Sequence, residues 1–233
     1  MSKKPVVHRL RAPHRRQAIL DSALPLFARV GFHGVTTRQL AAAAGVSEPI
    51  LYRHFPSKEA LWQEIQARCL AGVAQRRGEI AALSTDTATL VLAIHFLVNI
   101  SVSKAVPDRS QLEDLGRILM LSTISEGKFA RRFMDAEFQP LYEKLVACLK
   151  AADAAGDVVP MEVPHSIRIL MVQHMAAMTA AYRMPSPPVF DHGAPDEATL
   201  VDQITRIALR AIGLGDEAIR TFYTPKAWRL LRG

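Results

Sequence analysis

The sequence predicts an all-α protein. Apolar residues recur at three- and four-residue spacing along most of the 233-residue chain, and no stretch has the sustained alternation of a half-buried strand. Glycine and proline fall between the periodic stretches, where they end one helix and precede the next. With 49% hydrophobic and 22% charged residues, the chain has enough apolar material for a core and is not disordered.

The first predicted helix spans 14–30. Four apolar residues share one face at helical spacing: Ile19, Ala23, Phe27 and Val30. Gly31 supplies the residue type that most often ends a helix. Pro25 lies inside the helix, where a proline removes a backbone hydrogen bond, so we expect a kink there.

Two short helices follow. Thr36, with Gln39 three residues later, forms a capping box at the start of one helix, and a glycine ends it. Ser47 is the N-cap of the next helix, which runs to His54. Two short helices joined by a tight turn after a supporting helix make a helix-turn-helix, whose second helix lies in the major groove of DNA. The sequence therefore predicts a three-helix DNA-binding domain within residues 1–60.

Charge divides the chain at the same place. Residues 1–60 carry ten Lys and Arg against three Asp and Glu, whereas residues 61–233 carry 19 of each, so the net charge of +7 lies in the first part. A basic head on a neutral body favours a polyanionic partner. The alternative is a solvated tail, because six of the ten basic residues lie between Lys3 and Arg16. These residues are interpreted either as an arm over the DNA or as a disordered tail.

The stretch 27–61 reads FARVGFHGVTTRQLAAAAGVSEPILYRHFPSKEAL. Five motifs follow one another in order and spacing: G-F (31–32), T-T-R (36–38), A-G-V (44–46), L-Y-x-H-F (51–55) and S-K-E-x-L (57–61). This segment, roughly 14–61, resembles the N-terminal domain of the TetR family of bacterial transcriptional regulators. E-P-x-L-Y resembles the tetracycline repressor branch, whereas many members have Lys-Gly in place of Glu48-Pro49.

The resemblance implies a ligand-responsive regulator, with a repressor expected, that binds a palindromic operator in double-stranded DNA as a homodimer. A small apolar or aromatic effector is expected to release it. The remainder, 61–233, is then the helical ligand-binding and dimerisation domain, with no catalytic residue and no cofactor.

The family's phosphate contacts carry over by motif position, with one further hydroxyl at the start of the recognition helix, onto Thr36, Thr37, Ser47, Tyr52, His54 and Lys58. Hydroxyls, helix N-terminal amides and a lysine ammonium are donors suited to phosphate oxygens. Such contacts fix the register of the protein on DNA and read no sequence.

Base reading is expected from the remaining outward positions, which are Arg38, Glu48, Pro49, Ile50 and Arg53. An arginine can fork onto guanine, a glutamate can accept from cytosine N4, and apolar side chains can contact thymine methyl groups. Two alternatives stay open. Glu48 can instead serve the helix dipole, and Arg53 can instead contact phosphate.

The body is predicted to be helical throughout. We expect helices at 57–83, 87–104, 109–125, 128–154, 163–183 and 196–213, with a short terminal helix within 216–232 and a proline-rich loop at 184–195. Ser57 and Asp86 are the expected N-caps of the first two. By the family's pattern, 163–183 and 196–213 form the dimer interface, although core packing within one subunit would produce the same apolar stripe.

The effector pocket is expected to be lined by polar or soft residues on otherwise apolar helices: His95, Asn99, Met120, Met171, His174, Met175, Met178 and Tyr182. Methionine adapts to irregular ligands, and a few polar groups in an apolar cavity fix a ligand's orientation. Satisfied core residues would give the same pattern.

Several other classes of protein are disfavoured. The sequence has no G-x-S-x-G, H-E-x-x-H, P-loop or dinucleotide fingerprint, which argues against an all-α enzyme. No paired ligand spacing predicts a metal. No run is long enough to span a membrane, and the two cysteines, Cys69 and Cys148, give no disulfide framework, so a cytoplasmic protein is expected. A nucleoid-type protein that binds DNA without sequence preference is the remaining alternative.

Overall fold

The structure is a computed structural model that describes residues 12–103, 109–190, 192–194 and 196–224, with the backbone alone at 12–13 and 72–77. The described part contains eleven α-helices: α1 Ala12–Gly34, α2 Thr37–Ala43, α3 Glu48–His54, α4 Lys58–Ala81, α5 Thr87–Val102, α6 Arg109–Thr123, α7 Lys128–Phe133, α8 Gln139–Ala154, α9 His165–Arg183, α10 Glu197–Ala211 and α11 Asp216–Phe222. Within these residues there is no strand, and a single antiparallel bridge joins Val158 to Leu214. The all-α prediction is confirmed.

The predicted helix starts are confirmed by their caps. The Thr36 hydroxyl accepts from the Gln39 amide while the Gln39 side chain accepts from the Thr36 amide, which completes the capping box. The side chains of Ser57 and Asp86 accept from amides in the first turns of α4 and α5. Ser47 occupies the cap position of α3, but its side chain makes no capping hydrogen bond.

One prediction about helix continuity is confirmed and one is corrected. The interruption in α1 lies at Gly31, with φ of 73° and ψ of 175°, where the sequence predicts the helix to end, and the helix continues through Pro25 without a break. The positive φ is accessible to glycine without steric cost. The helix predicted over 128–154 is divided by a π-helical turn, Met134–Phe138, which separates α7 from α8.

The helix-turn-helix shares one apolar core with three helices of the body. Phe27, Leu40, Leu51 and Phe55 from the first three helices are buried in the same cluster as residues of α4, α6 and α7, including Phe129. The rings of Trp62 and Phe129 lie 6.2 Å apart, and Trp62 also contacts Phe27 at 4.8 Å. The head is therefore packed directly on the body, across the boundary placed near residue 60.

A second core fills the rest of the body. The apolar helix α5 lies in its centre and packs against α8, α9 and α10. Leu90, Ile94 and Val98 of α5 are fully buried, as are Leu149 of α8 and Leu209 of α10. Burial on all sides explains why α5 carries apolar residues around its whole circumference.

Among the described residues, no helix combines the length and the apolar character that crossing a bilayer would require. Part of the predicted terminal helix, residues 225–232, and the basic residues Lys3, Lys4, Arg9 and Arg11 lie outside the described residues.

Candidate nucleic-acid interface

The turn between α2 and α3 fixes the orientation of the second helix. Gly45 adopts a φ of 63°, and the Val46 amide donates to the Ala41 carbonyl at 3.0 Å. Leu51 and Phe55 are almost fully buried, so they anchor the inner face of α3 in the core. The opposite face is left at the surface.

The predicted base-reading residues lie on or beside this outer face. Arg38, Pro49 and Arg53 are exposed, whereas Glu48 and Ile50 are partly buried. Of the predicted phosphate contacts, Thr36, Ser47 and Tyr52 are exposed, and Thr37, His54 and Lys58 are partly buried. Tyr52 is 45% exposed, so its ring is not part of the core. The helix-turn-helix therefore offers cations, hydroxyls and apolar groups on one short helix and its neighbour.

Glu48 has a partner on the other helix of the motif. The Thr37 hydroxyl donates to Glu48 Oε2 at 2.8 Å, which joins the first residue of α2 to the first residue of α3. Sequence reasoning missed this contact, because the two residues are eleven positions apart and separated by the turn.

Lys58 has internal acceptors. Its ammonium donates to the carbonyl oxygens of Phe32 and Val35, each at 3.0 Å, and lies over the Phe32 ring. Because its ammonium group already donates to two carbonyls, Lys58 has less hydrogen-bonding capacity for a DNA phosphate than a surface lysine without such acceptors. The phosphate role of Lys58 stays a prediction.

His54 faces other cations. Its Nε2 is buried and has no hydrogen-bond partner within the described part of the chain. Burial lowers the pKa of His54 below its usual 6.5, and the nearby charges of Arg53, Arg15 and Arg16 lower it further. A lowered pKa favours the neutral ring at physiological pH, and the phosphate contact of His54 stays a prediction.

Arg16 belongs to the folded head and not to a free arm. Its guanidinium forms a bidentate ion pair with Glu64 of α4 and lies 4.6 Å from the centroid of the Phe55 ring. Two parallel hydrogen bonds fix the relative orientation of the guanidinium and the carboxylate, in addition to pairing their charges. Arg16 therefore ties α1 to α4 behind the recognition helix α3, a role that the charge count alone did not reveal.

The predicted effector residues divide into two groups. Asn99 is buried, His95, Met120 and Met175 are partly buried, and Met175 packs against the body core. The other four, Met171, His174, Met178 and Tyr182, are exposed on the outer face of α9. Their exposure shows that they are not core residues, and their role in an effector pocket stays a prediction.

His95 lies in a polar cluster at the end of the body core. Its Nδ1 is 3.4 Å from the hydroxyl oxygens of both Thr205 and Tyr223, and the Tyr223 ring packs beside it. Burial is the main reason that the pKa of Tyr223 rises to about 12, so its hydroxyl stays protonated. Elsewhere, an open cleft of about 490 Å³ lies between the loop 159–165 and Arg168, and none of the predicted effector residues lines it.

Comparison with known proteins agrees with this geometry. Residues 19–65 match the family described as bacterial regulatory proteins, tetR family. The HTH-type transcriptional regulator RutR of Escherichia coli K12 is 26% identical over 168 residues, which cover 70% of this chain and 74% of RutR. The tetracycline repressor protein class C of Escherichia coli is 49% identical over 47 residues, 20% of this chain and 22% of the repressor.

Solved structures share the fold. The crystal structure of AibR in complex with isovaleryl coenzyme A and operator DNA has a TM-score of 0.64 and 18% identity, covering 86% of this chain and 100% of AibR. The ketosteroid transcriptional regulator KstR2 of Mycobacterium tuberculosis has a TM-score of 0.64 and 17% identity, covering 91% and 100%. Residues 19–65 therefore match the TetR-family DNA-binding domain, and the relatives and fold neighbours that this chain resembles are transcriptional regulators and not enzymes.

Proposed function

We propose that the chain is a repressor that binds a palindromic operator as a homodimer and is released by a small apolar or aromatic effector. The observation that carries the proposal is the two-sided character of α3. Leu51 and Phe55 fix its inner face, while Pro49, Tyr52 and Arg53 are exposed on the other. A short helix held this firmly, with its polar groups outward, suits the major groove.

The roles of the individual residues follow from their chemistry. Arg38 and Arg53 are exposed and can fork onto guanine, with Pro49 and Ile50 beside them for thymine methyl groups. Thr36, Ser47 and Tyr52 supply hydroxyls for phosphate oxygens. Arg53 keeps its alternative as a phosphate contact, which a base-preference measurement on Arg53→Ala would decide.

The outer face of α9 supports the homodimer. Every exposed residue of this helix belongs to one stripe: Ile167, Met171, His174, Met178 and Tyr182. Four of the five are large and apolar, each between 43% and 49% exposed. Apolar residues on both the inner and the outer face are typical of a surface helix that another protein covers.

Helix α10 continues this surface. Ile207 is 58% exposed, and Gln203 and Ala211 lie one turn to either side of it on the same exposed face. Two α9–α10 pairs would form a four-helix interface and hold two recognition helices apart. Since one recognition helix contacts only a few base pairs, a second, about 34 Å away, allows a palindrome to be read.

The effector proposal rests on the body. His95 and Asn99 lie on α5 at the centre of the body, Met175 packs against the same core, and Met120 is partly buried on α6. A few polar groups among apolar walls suit an apolar ligand with one polar handle. The structural neighbour AibR was solved with an acyl coenzyme A, and KstR2 is named for ketosteroids. A regulator of bacterial transcription is expected to act in the cytoplasm, where the DNA lies.

DNA binding is tested by selecting operators from a random duplex library and measuring affinity by fluorescence anisotropy over a salt series. We expect a palindromic consensus and at least a thousandfold preference over a scrambled duplex. Arg38→Ala is expected to lose about 1–3 kcal/mol on the consensus and to relax selectivity at one base pair of each half-site. Equal affinity for consensus and scrambled DNA at every salt concentration would favour the nucleoid-type alternative and contradict the proposal.

Release by an effector is tested separately. Acyl coenzyme A thioesters, free fatty acids and steroids are screened by thermal shift, and each stabilising compound is then added to the protein–operator complex. We expect a stabilising apolar compound that dissociates the complex, because a ligand that prefers the DNA-incompetent state shifts the population toward it. Stabilisation without any change in operator affinity would contradict the repressor mechanism.

A further inference from the structure

The contact between Thr37 and Glu48 is the strongest structural feature of the interface that the motif does not explain. Thr37 begins α2 and Glu48 begins α3, so the hydrogen bond links the two helices of the motif at the ends where they approach each other. Both side chains are partly buried, and the distance of 2.8 Å from Thr37 Oγ1 to Glu48 Oε2 is that of a well-formed O–H···O hydrogen bond. The glutamate is therefore fixed in one orientation before DNA arrives.

The contact changes what Thr37 can do. A threonine hydroxyl has one hydrogen to donate, and here Glu48 accepts it. The hydroxyl therefore has no proton left for a phosphate oxygen, which is itself only an acceptor. A phosphate contact through the Thr37 side chain would require the bond to Glu48 to break.

The contact leaves the glutamate with acceptor capacity. A carboxylate has two oxygens and about four lone-pair sites, and Thr37 uses one of them. The group offers acceptors alone, so any base edge that it meets has to supply a donor. Opposite an acceptor edge, the same fixed carboxylate is repelled.

The major groove discriminates on this property. Cytosine presents a lone amino donor, and adenine presents an amino donor beside the N7 acceptor. Guanine presents two acceptors, and thymine presents one acceptor and a methyl group. A fixed carboxylate therefore prefers cytosine, tolerates adenine and rejects guanine and thymine.

We infer that Thr37 is a positioning residue for Glu48, and that the pair selects a base with an amino group, cytosine above all, at one position of each half-site. This inference rests on the proposed DNA-binding function and adds a specificity element to it. It replaces two earlier interpretations, Thr37 as a phosphate contact and Glu48 as a residue that serves only the helix dipole.

The test compares Thr37→Val with Thr37→Ser, because valine removes the hydroxyl at nearly constant shape and serine keeps it. Affinity is measured for all four base pairs at each position of the selected operator. We expect wild type and Thr37→Ser to prefer cytosine at one position by roughly 5- to 150-fold, and Thr37→Val to lose most of that preference. Glu48→Ala should flatten the same position and no other.

A second variant keeps the test valid if valine disturbs the fold. Glu48→Gln retains an oxygen that can accept from Thr37 but adds an amide donor, and the amide can pair with adenine N6 and N7 together. The preferred base at that position is then expected to change from cytosine to adenine. An unchanged preference in Glu48→Gln would overturn the inference.

Uniformity of the loss separates the two roles of Thr37. If Thr37 contacts phosphate, Thr37→Val weakens binding to all sequences alike, because a phosphate contact carries no sequence information. That result, with cytosine preference retained, would overturn the inference while the proposed function stands. If the wild-type protein selects no operator at all, the proposed function itself fails.

Discussion

The ammonium nitrogen of Lys58 lies 3.0 Å from the carbonyl oxygen of Phe32 and 4.3 Å from the centroid of the ring of the same residue. The same nitrogen also donates to the Val35 carbonyl. Lys58 is the first residue of α4, so it ties the long helix to the end of α1 and to the residue that follows it. Both acceptor carbonyls, those of Phe32 and Val35, lie beyond the break at Gly31.

Lys58→Met is therefore expected to destabilise the fold. The substitution keeps the apolar stem and removes hydrogen bonds from a charged donor, for which a loss of about 1–3 kcal/mol in the free energy of unfolding is typical. Urea unfolding followed by circular dichroism measures the loss. The control is Lys150→Met on the exposed face of α8, which should change stability by less than about 0.5 kcal/mol. Equal stability of the two variants would contradict the structural role of Lys58.

The apolar stripe on α9 predicts that a charged substitution there dissociates the proposed dimer. Met171 is 49% exposed near the middle of the stripe, so Met171→Glu would place two charges in the interface of the proposed dimer. We expect sedimentation equilibrium to show monomers and operator binding to fall at least a hundredfold. Ile124→Glu is the matched control, because Ile124 is also apolar and exposed but lies outside the stripe. If both variants sediment like the wild type, α9 is not the interface.

Phe129 predicts the extent of coupling between the DNA-binding head and the body. Its side chain comes from α7, is almost fully buried and packs on Trp62 in the core that also holds Phe27. Phe129→Ala should lower the free energy of unfolding by about 3–5 kcal/mol, as expected for a deleted core aromatic. The exposed Phe190 provides the control, since Phe190→Ala removes no buried contact. A small effect of Phe129→Ala would mean that the head packs without the body.

Local features of the sequence predicted the fold well. The caps at Thr36, Ser57 and Asp86 involve a side chain and an amide three residues away, so spacing alone determined them. The helix-turn-helix and its buried anchors could be derived for the same reason. The interruption of α1 at Gly31 was predictable too, because glycine readily adopts the positive φ of a break, whereas Pro25 costs a hydrogen bond without ending the helix.

Long-range contacts could not be predicted. The acceptors of Lys58 lie 26 and 23 residues before it, and the partner of Arg16 lies 48 residues after it. Periodicity on α9 identified residues that share a face. It does not tell whether that face meets the core or a second subunit, so the surroundings of Met171, His174, Met178 and Tyr182 could not be predicted. Both environments select apolar residues at the same spacing.

His54 predicts a pH dependence of stability. Burial lowers the pKa of His54 in the folded protein. Between about pH 6.5 and the lower pKa of the folded state, the ring is protonated in the unfolded chain and neutral in the folded chain. The stability contributed by the neutral ring is present above about pH 6.5 and is lost as the pH falls through that window. His54→Gln should give a flatter decline in urea midpoint toward about pH 5 than the wild type. The exposed His14 supplies the control, since His14→Gln should keep the wild-type slope. A steeper decline in His54→Gln would have the wrong sign.

The burial of Cys69 predicts that its thiol reacts slowly with oxidants. Burial raises its pKa to about 11, with Asp114 adding to the rise and Arg68 opposing it, and burial also raises the pKa of Cys148. At about pH 8 roughly one thiol in a thousand at Cys69 is then the reactive thiolate. Reaction with an aromatic disulfide reagent, followed by absorbance, should be slow in the native protein and immediate in guanidinium chloride. A fast reaction of one thiol in the native protein that Cys69→Ala abolishes and Cys148→Ala leaves intact would contradict this burial. Such a reaction would indicate that α4, which carries Cys69, separates transiently from the core that joins the head to the body.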